Sequence, residues 1–274
     1  MPQPVSRRGR LIPGNVPVQI HQAPEISSNG DRLALIASYS PNGRVTRSLE
    51  TLIAALQHAD YEVVLVRASE WNGPLDWPSG AAPRVPIIVK PNLGYDFGSW
   101  AVGMAHYREL LSRKYVILVN DSLVGPFASL APLIENFEAS ACDVWGVTQT
   151  TQFIAHLQSY FLGFKNGSLA DPAIRHFWNS LPVENDKLTM VHKYELGLAR
   201  LLFAEAFVTG AMFAPELVAQ HGQNPTLVGW HRLLDLGFPF VKRTLLTDPS
   251  VALDGRAVPA TLRERFGINV RDWL

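Results

Sequence analysis

Short apolar runs alternate with helical patterns through the first half of this chain, and that alternation restricts its fold more than any other feature. Residues 33–40, Leu-Ala-Leu-Ile-Ala-Ser-Tyr-Ser, read as a strand that ends in small polar residues and enters a Pro41-Asn42-Gly43 turn. A helical stripe follows, with Leu49, Leu52, Ile53 and Leu56 on one face and Thr46 positioned to cap it. Residues 61–66 are a second, valine-rich run. Strand, helix, strand is the repeating unit of a parallel sheet with right-handed crossovers.

Prolines 74, 78, 83 and 86 interrupt regular structure before the next expected strand, 87–89. The alternation then resumes, with helices expected at 99–111 and 129–137 and strands at 115–119 and 143–147. Strands this apolar on both faces belong in the middle of a sheet covered by helices. Further on, 161–164 reads as a strand, Asp171-Pro172 as a helix start, 192–204 and 225–236 as helices, and 240–246 as a late strand. Residues 1–30, rich in proline, glycine, asparagine and glutamine, read as an irregular leader before an α/β domain spanning 31–274, with halves at 31–148 and 149–274.

Charge excludes some partners. Lysine plus arginine and aspartate plus glutamate number 24 each, so no overall field favours nucleic acid. With 47% hydrophobic residues the chain can bury a sizeable core. Its single cysteine, Cys142, permits no intrachain disulfide and fits a reducing, cytoplasmic compartment. No apolar stretch of signal-peptide or membrane-spanning length is present. Arg7, Arg8 and Arg10 offer a peripheral contact to an anionic membrane, or a solvated tail.

Ligands of open α/β sheets sit beyond the carboxyl ends of the strands, so the residues that follow each strand are the site candidates. Ser38 and Tyr39 supply a hydroxyl and a stacking ring, or simply lead into the turn. In residues 90–100, Asn92, Gly94 and Asp96 precede a helix, and glycines at 94 and 98 would allow close approach of a ligand to the backbone. The alternative is a capped turn in which Asp96 bonds the backbone. Asn120, Asp121 and Ser122 follow the 115–119 strand, where a carboxylate between two oxygen-bearing side chains suits a divalent cation, manganese or magnesium, or else caps the turn before Gly125-Pro126. Glu195 lies at the edge of an apolar helical face, where it could act as a general base, or be a first-turn glutamate favoured by the helix dipole. His156, Gln158, Ser159, Tyr160, Trp230 and His231 complete the polar and aromatic candidates for sugar contact.

Taken in order, these segments resemble the rhamnan synthesis protein F family of bacterial polysaccharide enzymes. The matching pieces are residues 92–98, Asn120-Asp121-Ser122 with Gly125-Pro126, Asp143-Val144-Trp145-Gly146, residues 157–161, Tyr194-Glu195-Leu196-Gly197-Leu198, and residues 237–242. The order is also similar to inverting GT-A glycosyltransferases that include bacterial rhamnosyltransferases. The resemblance implies a GT-A-like, mostly parallel sheet flanked by helices in a single domain, with the donor in the first half and the acceptor in the second. It implies a nucleotide-sugar donor, dTDP-L-rhamnose, near Asn92 and Gly94, with Asn120, Asp121 and Ser122 at the diphosphate, a cation on Asp121, and Glu195 as base; Ser38, Tyr39 and Asp96 join the donor side from their own positions. A glycan or lipid-linked glycan acceptor would bring the protein to the inner face of the cytoplasmic membrane. Two departures stand out: one acid where the metal pattern has two, and leucine after Glu195 where a second acid is usual. A non-catalytic glycan or nucleotide-sugar binding protein of an assembly complex is the alternative.

Overall fold

The computed structural model describes residues 2–183 and 187–274. Its large sheet contains β1 (Gln19–Gln22), β2 (Arg32–Tyr39), β3 (Glu62–Ala68), β4 (Ile87–Lys90), β5 (Tyr115–Asn120), β7 (Val144–Thr150), β8 (His156–Leu157), β9 (Phe161–Lys165) and β10 (Thr209–Phe213). A separate two-stranded ribbon pairs β6 (Leu123–Val124) with β11 (Val241–Lys242). The sheet order is β1-β4-β3-β2-β5-β9-β7-β10, with β8 on β7. Six strands run the same way; β1, β8 and β9 oppose their neighbours. The fold is therefore mixed α/β with a mostly parallel sheet, as the alternation predicted.

Helices cover both faces because successive strand residues point to opposite sides. Ala34 and Ile36 of β2 pack with Leu49, Leu52, Ile53 and Leu56 of α1 (Arg47–His58) and with Phe137 of α3 (Ala131–Ala139). Leu33, Leu35 and Ala37 pack the other way, against Trp100 and Val102 of α2 (Tyr95–His106), Trp178 of α4 (Pro172–Trp178) and Leu198 of α5 (Lys187–Ala204). Each fully buried side chain of this size contributes about 1.5–3 kcal/mol, so the two faces dominate stability. The expected caps form: Thr46 accepts from the Leu49 N–H and Asp171 from the Ala173 N–H. A third cluster joins Val124 to Trp230, Leu245, Leu262 and Trp273, and gathers the short helices α7 (Pro225–Val228), α8 (Trp230–Asp235), α9 (Thr244–Thr247) and α10 (Val258–Phe266), while α6 (Pro215–Val218) sends Val218 into the first cluster with α1 and α3.

Several expectations need correction. The stretch read as an irregular leader contributes β1, antiparallel to β4, and sends Leu11 into the core with no exposed surface. Its strand is only four residues long, too short for the periodicity to register. The helix expected at 99–111 begins at Tyr95, and the one expected at 225–236 is two helices separated at Gly229. The strand expected at 240–246 shrinks to Val241–Lys242 because its partner β6 is itself two residues long. Pro126, just beyond β6, has no N–H to extend the ladder.

Candidate functional site

The chain passes from β2 outward to β3 and β4 on one side, then crosses back to β5 on the other. The carboxyl ends of β2 and β5 thus form the switch point of the sheet, the usual crevice for a ligand. There the Tyr39 N–H donates to Asp121 Oδ2 at 3.1 Å, and the Asp121 N–H donates to the Ala37 carbonyl at 3.1 Å. The Tyr39 ring is 51% exposed, open to stacking. Ser38 is buried, and its Oγ finds no hydrogen-bond partner among the described residues. Its register partner on β3, Arg67, is equally buried, donates to the carbonyls of Asn42 and Arg44, and leaves Nε unsatisfied. Burial pushes the Asp121 carboxyl above the usual range, against the opposing pull of Arg243, the Tyr39 N–H and Arg67. The Arg67 guanidinium is pushed down by the same burial.

The segment after β4 is built around Lys90. This buried ammonium donates to the carbonyls of Pro91 and Leu93, both at 2.9 Å, and so shapes the loop carrying Asn92, which is exposed. Burial pulls Lys90 down to about 8, with Asp96 opposing. The glycines of this loop serve the chain itself. Gly94 caps α2 at φ 75°, and a Cβ on Gly98 would stand 2.1 Å from the Leu93 carbonyl oxygen. Asp96, in the first turn of α2, accepts from Asn120 Nδ2 at 2.7 Å, so the loops after β4 and β5 are joined. Asn120 Oδ1 in turn accepts from both the N–H and the hydroxyl of Ser122.

A late segment completes this end of the sheet. Gly125 lies where a Cβ would meet the Pro239 carbonyl at 2.4 Å, and the Phe127 N–H donates to that carbonyl at 2.9 Å. The contact seats the β6–β11 ribbon, with Lys242 opposite Leu123. Lys242 Nζ then donates to Ser122 Oγ at 2.9 Å and lies 4.9 Å from the Tyr160 ring centre. Arg243 donates through Nε and Nη2 to the Asp121 carbonyl at 3.1 and 3.0 Å.

Glu195 reaches the same region from α5. Its Oε1 accepts from the Ser159 N–H at 2.6 Å, and Oε2 lies 3.9 Å from His156 Nε2. The neighbouring Tyr160 carbonyl accepts from the Asn120 N–H at 3.1 Å, so Glu195 is linked through residues 159–160 to Asn120, the residue before Asp121. Beneath them a buried chain runs from the Tyr160 hydroxyl to Thr148 at 2.7 Å, on to Gln158 at 2.8 Å, and from Gln158 to Asn224 at 3.1 Å. Burial raises the Tyr160 hydroxyl, Thr148 opposes this, and Glu195 adds to it. The first-turn explanation of Glu195 fails: α5 already includes Lys187, two helical turns earlier.

Of the expected residues, Ser38, Tyr39, Asp96, Asn120, Asp121, Ser122, His156, Gln158, Ser159, Tyr160 and Glu195 are thus connected around the ends of β2 and β5. Trp230 and His231 are engaged elsewhere. Trp230 is 1% exposed, with its indole N–H on Asp254 at 2.8 Å, and His231 lies 3.3 Å from Asp235 on the surface. Arg67, Lys90, Lys242 and Arg243 were not expected here. Arg67 had a signal, a charge embedded in a valine-rich strand; Lys90 opens the candidate stretch 90–100, and Lys242 ends the last segment that carries the resemblance.

A divalent cation needs several unoccupied oxygen ligands. Here Asp121 Oδ2 takes an N–H, Asn120 Oδ1 takes two donors, and Ser122 Oγ takes an ammonium. Among the described residues no three His, Cys, Asp or Glu side chains gather into a metal-holding group. Outside these bonds the set offers one carboxylate oxygen, Asp121 Oδ1, which is too few ligands for such an ion.

The model of the family described as Rhamnan synthesis protein F matches residues 85–263, well over half of the 274-residue chain. The chain belongs to the rhamnan synthesis protein F family. The match covers the site segments from Lys90 to Arg243 and leaves β2 and β3 outside it. Virulence protein VirA of Vibrio anguillarum is similar, 28% identical over 225 residues that span 70% of this chain and 72% of that protein. Uncharacterized protein y4gN of Sinorhizobium fredii is 29% identical over 143 residues, 50% of this chain and 37% of that protein.

Proposed function

We propose that this member of the rhamnan synthesis protein F family is a glycosyltransferase of bacterial cell-surface polysaccharide synthesis. It would move a sugar, L-rhamnose from dTDP-L-rhamnose, onto a glycan acceptor with inversion. The observation that carries this reading is a pair of hydrogen bonds, the Ser159 N–H to the Glu195 carboxylate and the Asn120 N–H to the Tyr160 carbonyl, that couples a carboxylate on α5 to the carboxyl end of β5. A GT-A-like fold is supported by the parallel strands at the switch point and by β9 running antiparallel between β5 and β7.

In the proposed reaction the acceptor hydroxyl attacks the anomeric carbon and loses its proton to Glu195. The bond from that carbon to the diphosphate breaks, and its electron pair leaves on the diphosphate oxygen. Tyr39 would stack on the base, and His156 and Gln158 would bound the acceptor side. A lipid-linked glycan as acceptor would bring the protein to the inner face of the cytoplasmic membrane; among the described residues no helix is long and apolar enough to cross it.

A second reading, a non-catalytic nucleotide-sugar or glycan binding protein, is favoured by one observation: Glu195 Oε1 is already bonded to the Ser159 N–H. The deciding experiment supplies dTDP-L-rhamnose, UDP-sugars and GDP-sugars with a bacterial glycolipid extract and follows nucleoside diphosphate release. Acceptor-dependent release from one donor, lost in Glu195→Gln, supports transfer. Tight donor binding with no release supports the binding protein.

A further inference from the structure

A sugar-nucleotide donor brings two phosphate charges to the end of β5, and the departing diphosphate carries more negative charge than the bound donor. Something positive must meet it. Three of the oxygens a divalent cation would use there, Asp121 Oδ2, Asn120 Oδ1 and Ser122 Oγ, are already engaged, and the group lying on Ser122 is itself a cation, the ammonium of Lys242 at 2.9 Å. Arg243 stands beside it, fixed by its own N–H on the Ser122 carbonyl at 2.8 Å and by its guanidinium on the Asp121 carbonyl.

Both side chains are only half-buried, so an anion can reach them. Both are also held in place. The β6–β11 pairing fixes Lys242 opposite Leu123, and the Tyr160 ring lies under its ammonium at 4.9 Å. The Arg243 fork, with its five donors, is suited to phosphate oxygens, and an ammonium serves as a compact point charge. Two positive charges on one short ribbon match the charge of one divalent ion.

We propose that Lys242 and Arg243 take the place of a divalent cation in this chain, binding the diphosphate of the donor and neutralising it as it leaves. The inference rests on the sugar-nucleotide reading and narrows it. The ligand class is a nucleoside diphosphate held without metal. When the anomeric bond breaks, its electron pair goes to the diphosphate oxygen facing these two groups; neither gives up a proton.

The test is calorimetric titration of the whole protein with dTDP, UDP and GDP, each in EDTA and again with manganese, with thymidine as the phosphate-free control. Wild type is expected to bind one diphosphate equally well in both conditions, within about 2-fold. Lys242→Met and Arg243→Gln should each weaken that diphosphate roughly 10- to 100-fold and leave the nucleoside unchanged, with Lys242→Arg recovering part of the loss. Binding that appears only with manganese overturns the inference while leaving the sugar-nucleotide reading intact. No binding of any diphosphate in either condition overturns both. The comparison of EDTA with manganese uses wild type alone, so it stands even if a variant fails to fold.

Discussion

Asn120 Nδ2 donates a hydrogen bond to Asp96 Oδ2 at 2.7 Å, a direct side-chain tie between the end of β5 and the first turn of α2. An amide is required for this role. It donates to Asp96 through one end and accepts from Ser122 through the other. Asn120→Asp would set two carboxylates against each other at that distance. We expect the variant to lose about 1–3 kcal/mol at pH 7. A carboxyl whose folded pKa is raised by a like charge regains stability as pH falls through that pKa, so the deficit should narrow toward pH 4. Urea unfolding of both proteins at the two pH values measures it; a deficit independent of pH would show that charge repulsion is not its source.

Glu195→Gln keeps a carbonyl oxygen to accept from Ser159 but cannot take a proton. Its melting temperature should stay near that of wild type while sugar transfer falls by about 10²–10⁴-fold. Glu195→Ala should lose stability as well, since it leaves the Ser159 N–H unpaired. Calorimetry beside a nucleotide-release assay separates the two; full activity in Glu195→Gln would remove this residue from the base role.

Lys90 supplies a stability signature. Its folded pKa of about 8 lies below the unfolded value of about 10.5, so folding disfavours the charged form. The cost is full below pH 8 and relieved as pH rises from 8 to 10.5. Wild type should therefore gain on the order of 1–3 kcal/mol relative to Lys90→Met across that window. Parallel pH profiles of unfolding free energy would show the difference growing, and a flat difference would refute the buried-ammonium account.

Trp230 is a stability residue. Trp230→Phe removes the indole donor to Asp254 from a fully packed site and should cost about 1–3 kcal/mol, with nucleotide affinity unchanged. Denaturation and titration of the same sample decide it; a loss of affinity without a loss of stability would return Trp230 to the ligand site.

Gly98→Ala is expected to disrupt the loop after β4 outright, because the added Cβ would fall 2.1 Å from the Leu93 carbonyl oxygen. Failure to accumulate as a folded protein, by circular dichroism and gel filtration, is the anticipated outcome. A stable variant with weakened nucleotide binding would instead favour the ligand-approach explanation of this glycine.

The sequence by itself determined the parallel half of the sheet and the family. Strands β2 to β5 were legible because burial on both faces demands continuous apolar runs, which no other local pattern supplies. The candidate carboxylates Asp121 and Glu195 were legible from where strands end and from the order of the segments around them. Strands β1, β6, β8 and β10 were not, since two to five residues carry too little periodicity and are held by pairing partners far away in the chain. Tertiary structure alone decided which positive charges meet Asp121 and Ser122. Lys242 lies 120 residues from the hydroxyl it binds, and it arrives there because Gly125 leaves room for the Pro239 carbonyl, a contact that no local propensity encodes.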